Sequence, residues 1–281
     1  MKIINPIMKG LSQVLLQSNN ITGLLILIGI LYNSIIMGVG AMIGVVVSTY
    51  VAKKLRYREE RIDGGYYGFN GVLVGIGVLS YYEMNILILL LIILGSSLTC
   101  IIMNWMEKRG IAPYTFPFVL MTWLLLFFIN ENNIAIATQF IELADADIDL
   151  MSSLGKGLGQ IMFQENSITG MIFLIGIIIR SRIGALYAAT GVLLSSILAY
   201  YLSVPLDLVN RGLFGFNGGL CGLAFADQSN RYSFWYAVLA IVLSLFVTQG
   251  MVKCKLLPLT VPFVISTWMV MGAKRYIGRL K

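Results

Sequence analysis

A chain of 281 residues that is 58% hydrophobic and only 12% charged, with a mean hydropathy of +0.85, is far more apolar than a soluble domain, in which about 25% of residues are charged. This is the composition of an integral membrane protein, and its net charge of +7 is accounted for by basic cytoplasmic loops rather than by nucleic-acid binding. The absence of histidine excludes imidazole proton relays, His-based zinc sites, and Ser-His or Cys-His nucleophiles.

At the N-terminus, Lys2 and Lys9 are followed by Leu11-Ser12-Gln13 before the long apolar region begins, which is not the layout of a cleaved signal. The first span is expected to act as its own insertion signal. Five apolar segments follow, at about 21–33, 35–52, 68–80, 84–104 and 112–130, and five more at about 168–179, 184–203, 214–226, 233–252 and 258–273. A straight helix needs about 20 residues to cross the hydrocarbon. The segment near 68–80 is too short to cross alone, so its ends must be buried in protein or line water.

Between the two sets, residues 141–156 carry Asp145, Asp147 and Asp149 and read as a polar acidic connector. The Asp-x-Asp-x-Asp run lacks the Gly and closing Glu of a calcium loop. Residues 1–140 are then a first repeat and 157–281 a second. Cys100, Cys221 and Cys254 stand singly, without metal-binding spacing.

The two halves are copies of one pattern. Gly68-Phe69-Asn70-Gly71-Val72-Leu73-Val74-Gly75 returns as Gly215-Phe216-Asn217-Gly218-Gly219-Leu220-Cys221-Gly222, an offset of 215 − 68 = 147. The head Gly10-Leu11-Ser12-Gln13 returns at the same offset as Gly157-Leu158-Gly159-Gln160. Thr115-Phe116-Pro117-Phe118 with Thr122-Trp123 returns as Thr260-Val261-Pro262-Phe263 with Thr267-Trp268.

Placing the N-terminus inside and letting all five segments cross leaves only Lys156, Arg211, Lys253 and Lys255 outside, so that 20 − 4 = 16 basic residues lie on the cytoplasmic face. Five crossings is odd. The second repeat therefore enters from the opposite face, and the fold class is an all-α membrane protein of two inverted five-segment repeats, about ten transmembrane helices with short pore-lining ones.

Intramembrane Asn70 and Asn217 are expensive to bury unpartnered; their amides can satisfy backbone groups released where a helix breaks, and two such motifs at matched positions are expected to line a pore rather than merely pack helices. Phe69 with Leu73, and Phe216 with Leu220, share a helix face at a spacing of four. Under inverted symmetry the two rings form a flat apolar slot. Thr-x-Pro-Phe suits a helix that starts inside the membrane with a Thr cap, and Pro frees a carbonyl one turn earlier. Thr122 and Thr267 then offer hydroxyls. Gln17, Gln164 and Glu165 compete with Gln13 and Gln160 for a role at the heads of the repeats.

Neither short motif segment carries an ionisable group of the kind an ion or proton path shows. Acceptors and a flat slot fit a small planar solute rich in N–H donors, such as urea or a related amide. No phosphate-binding loop is present, so neither ATP nor any cofactor is called for.

Together these motifs resemble the urea transporter family, over both halves of the chain. That resemblance implies a passive urea channel in the plasma membrane, both termini cytoplasmic, assembled as a homotrimer in lipid with one pore per subunit. It further implies that Gln13 and Gln160 meet urea near the pore, where some relatives carry Glu in place of Gln160. Phe69, Phe216, Leu73 and Leu220 would flatten the path, and Thr122 and Thr267 would line its constriction. An ion-coupled carrier of a small neutral amide is the alternative, and a membrane-embedded enzyme has neither histidine nor paired carboxylates to work with.

Overall fold

The computed structural model describes residues 4–137, 149–226 and 232–279. The chain divides into two compact units, Met1–Glu142 and Leu143–Lys281, and the described residues of each fold almost wholly into helices. Of the connector, residues 141–148 with Asp145 and Asp147 lie outside the described residues. Asp149 caps the helix that follows, its carboxylate accepting from the Ser152 N–H at 3.0 Å.

The first unit runs α1 (Ile4–Gln13), α2 (Asn20–Asn33), α3 (Ile35–Lys54), α4 (Glu59–Asp63), α5 (Phe69–Tyr81), α6 (Ile86–Lys108) and α7 (Phe116–Glu131). The second runs α8 (Leu150–Gln160), α9 (Ser167–Arg180), α10 (Arg182–Tyr201), α11 (Leu206–Asn210), α12 (Phe216–Ala224), α13 (Ser233–Lys253) and α14 (Val261–Arg279). The duplication read in the motifs extends to helix boundaries. The starts of α2 to α6 and of α9 to α13 differ by 147, as in 167 − 20 and 206 − 59, and those of α7 and α14 by 261 − 116 = 145.

Local chemistry sets these boundaries. The Asn19 and Asn166 side chains accept from the N–H groups of Thr22 and Thr169, each at 3.0 Å, and so start α2 and α9. One extended residue, Ser34, separates α2 from α3: its N–H closes α2 on Ile30 O, while its Oγ accepts from the Met37 N–H to open α3. Ser181 does the same between α9 and α10.

Among the described residues, four helices, α3, α6, α10 and α13, are long and apolar enough to cross a membrane. The other segments are shorter, α5 having 13 residues and α12 only 9, or about 20 and 13 Å of helix. The segment at 214–226 therefore ends earlier as a helix than its hydropathy implies.

Within each unit the short motif helix lies against a long one with the backbones in contact. A Cβ on Gly44 of α3 would stand 1.9 Å from the Gly71 carbonyl oxygen of α5, and one on Gly191 of α10 would stand 2.2 Å from that of Gly218 on α12. Only glycine allows that approach, which is how helices associate where lipid supplies no hydrophobic drive. The Oγ atoms of Ser48 and Ser195 fill the facing notches, each 2.1 Å from where a Cβ on Gly71 or Gly218 would be.

Candidate permeation site

In each unit the motif Asn is a clamp between two helices. Asn70, fully buried, donates through Nδ2 to the Tyr114 carbonyl at 3.1 Å and to Met103 Sδ at 3.5 Å, while its Oδ1 accepts from the Phe118 N–H at 3.0 Å. Asn217 donates to the Leu259 carbonyl at 3.1 Å and accepts from the Phe263 N–H at 3.2 Å. Phe118 and Phe263 stand at the third positions of α7 and α14, whose N–H groups have no partner inside their own helices. The amide thus caps a neighbouring helix instead of facing a solute, and satisfies the carbonyl of a left-handed residue, Tyr114 (φ 43) or Leu259 (φ 44).

This corrects two details of the expected helix start. Thr115 occupies the cap position of α7, but its side chain does not cap the helix, because Asn70 already supplies the acceptor. The carbonyls one turn before Pro117 and Pro262 are not released either: Pro113 O accepts from Phe116 N–H and Pro258 O from Val261 N–H, both at 3.0 Å.

The clamp ties the helix bearing Phe69 and Leu73 to the helix bearing Thr122. Phe69 is 3% exposed and Leu73 1%, whereas in the second unit Phe216 is half-buried beside a buried Leu220. Thr122 and Thr267 are both fully buried, and neither Oγ1 hydrogen-bonds among the described residues. Neither hydroxyl bonds back to its own helix, the usual habit of a membrane Thr. The Cys221 thiol lies close enough to Ser244 and Thr267 to interact weakly with both, too soft a partner to satisfy an alcohol.

Gln13 and Gln160 take equivalent places. Each closes the first helix of its unit, and each Nε2 donates to a carbonyl at the end of the five-residue helix, Gly64 O at 3.0 Å and Arg211 O at 3.3 Å. Their Oε1 atoms accept no hydrogen bond among the described residues, and both side chains are half-buried. The competing residues are committed elsewhere. Gln17 and Gln164 are buried and donate to their own turns, to Leu15 O at 3.1 Å and Met162 O at 2.7 Å, and Glu165 accepts from Arg211 Nε at 2.9 and 3.0 Å.

Sequence reasoning missed several buried hydroxyls. Thr49 and Ser196, equivalent by 196 − 49 = 147, lie on α3 and α10 with Oγ atoms unpartnered among the described residues; Ser195 on α10, Ser96 on α6 and Ser266 on α14 are likewise unpartnered there. Carrying the offset of 147 into α3 would have exposed the pair Ser48-Thr49 and Ser195-Ser196. Also unremarked was the group around Tyr66 and Tyr67, whose phenols are raised above their ordinary value by burial first and the Glu107 carboxylate second.

Comparison with known proteins places the chain in a family. The family described as urea transporter matches residues 4–275. The chain is similar to "Urea transporter 1" of Ovis aries and of Capra hircus, 30% identical over 263 residues that cover 88% of this chain and 68% of each relative. It is 29% identical to "Urea transporter 1" of Rattus norvegicus over the same coverage. A duplicated helical unit with clamped motif helices, apolar spans and a family match over nearly its whole length together establish that this membrane protein belongs to the urea transporter family.

Proposed function

We propose that the protein lets urea pass down its gradient through one hydrogen-bond-lined path per subunit. The observation that carries this reading is the pair of fully buried hydroxyls, Thr122 Oγ1 and Thr267 Oγ1, without hydrogen-bond partners among the described residues. A buried polar group left unpaired costs about 1–3 kcal/mol, and a passing N–H donor would relieve that cost. Neither α5 nor α12, which carry the motifs, contains Asp, Glu, Lys or Arg. That favours an uncharged solute and supplies no midplane carboxylate for coupling to an ion.

In this reading Gln13 and Gln160 receive the solute at the two mouths with their free Oε1 acceptors. Phe69 with Leu73, and Phe216 with Leu220, form the walls of a flat slot, and Thr122 and Thr267 replace water where the path is narrowest. Binding stays shallow at each acceptor, so release is fast. The two repeats are inverted, the termini cytoplasmic, and the subunits trimeric in the plasma membrane. Basic-residue asymmetry supports the orientation, and the family resemblance supports the assembly.

Replacing both threonines, Thr122→Val and Thr267→Val, keeps side-chain size and removes the acceptors. Urea permeability of proteoliposomes is expected to drop about tenfold, the loss of roughly 1.4 kcal/mol of stabilisation along the path. The melting temperature should hold or rise, because a buried hydroxyl without a partner is a liability for the fold. Unchanged permeability in the double variant would remove these hydroxyls from the path.

A further inference from the structure

Around Phe69 the first unit carries a chain of contacts with no counterpart among the described residues of the second. Glu107, in the last turns of α6, forms an ion pair with Arg61, Oε1 lying 3.0 Å from Nε, and its Oε2 accepts from the Tyr67 hydroxyl at 3.1 Å. The Arg61 guanidinium lies 4.5 Å from the centre of the Tyr66 ring. That ring meets Phe69 edge-on, with centroids 6.2 Å apart and planes at 67°.

The repeat offsets place Leu208, Leu213 and Val252 where the first unit has Arg61, Tyr66 and Glu107 (208 − 61 = 147, 213 − 66 = 147, 252 − 107 = 145). Leu208 and Leu213 pack onto an apolar cluster of Val204, Val209, Phe214 and Leu245. The Phe69 ring is therefore backed by a second ring that a cation and an anion hold, whereas the positions equivalent to Arg61, Tyr66 and Glu107 in the second unit carry only aliphatic side chains.

We infer that Arg61, Tyr66 and Glu107 are positioning residues that fix the Phe69 ring and thereby set how bulky an amide can enter from the first unit. The inference rests on the reading that Phe69 borders the urea path. A cation over a ring face holds that ring in one orientation. The Glu107 side chain, 18% exposed against 42% for Arg61, pairs with one edge of the guanidinium while the Tyr66 ring takes its face. A ring braced in this way yields less to a methyl group than one without the brace, so the first unit is the stricter sieve.

The test transplants the second unit's solution into the first: Arg61→Leu, Tyr66→Leu and Glu107→Val together, beside Tyr66→Leu alone and the conservative Tyr66→Phe. Proteoliposome permeabilities to urea and to N-methylurea are read as a ratio, with melting temperature followed in parallel. The triple and Tyr66→Leu variants are expected to raise the N-methylurea-to-urea ratio at least threefold, while Tyr66→Phe keeps the wild-type ratio. If the triple variant does not fold, Tyr66→Leu alone decides. A wild-type ratio in Tyr66→Leu, whatever its melting temperature, would reduce these residues to a structural tether and overturn the inference. Wild-type protein that passes no urea would instead overturn the proposed function, so the two failures are distinguishable.

Discussion

The two units of this protein agree at one place and differ at another. Where α5 meets α7 and α12 meets α14, the solution is the same to within 0.2 Å: an Asn amide donates to a left-handed residue's carbonyl at 3.1 Å and accepts from the third N–H of the next helix at 3.0 or 3.2 Å. Below the motif helices the solutions part. The first unit uses Arg61, Glu107 and Tyr67, the second Leu208, Leu213 and Phe214. A second contrast lies at the heads, where Ser18 Oγ donates to Gly64 O in one unit and Glu165 pairs with Arg211 in the other. The backbone problem posed by a helix that starts inside the membrane admits few answers, because every N–H and C=O there must find a partner. A loop that merely has to be filled admits many.

That contrast can be broken at either place. The largest effect is expected at the clamp. Asn70→Ala and Asn217→Ala each remove the two hydrogen bonds that tie the motif helix to its neighbour, and each should cost about 3 kcal/mol, read as a lowered unfolding midpoint in detergent. Equal losses from both would support the view that the clamp is a requirement of the repeat; a loss in one unit only would separate them. A smaller effect is expected from Tyr67→Phe, which gives the first unit the residue type of Phe214. It removes a hydrogen bond to Glu107 at 3.1 Å and a longer one to Asn104 at 3.4 Å, worth about 1 kcal/mol. A change near zero would mean that the polar and apolar fillings of this loop are interchangeable.

Much of this arrangement was legible in the sequence because the repeat doubles each signal. Asn70 and Asn217 stood out as buried amides in apolar runs, and their role as partners for broken-helix backbone is what the structure displays. Hydropathy over-extended the segments at 112–130 and 214–226, since it registers apolar residues without sensing the turn at Tyr114 or the end of α12 at Ala224. The Thr cap was misassigned for a different reason: the acceptor comes from a residue 48 positions away, and a local capping rule sees only its own helix. The Arg61, Tyr66 and Glu107 group was illegible because it joins three separate elements and departs from the repeat.

The central claim is that urea moves through this protein passively, drawn along by fixed acceptors and coupled to nothing. Stopped-flow urea uptake into proteoliposomes, measured over a wide concentration range with and without imposed proton and sodium gradients, tests it most directly. The account predicts a rate that rises linearly with urea and is indifferent to either gradient. A rate that saturates at low urea and vanishes when the gradients are collapsed would contradict it and identify an ion-coupled carrier instead.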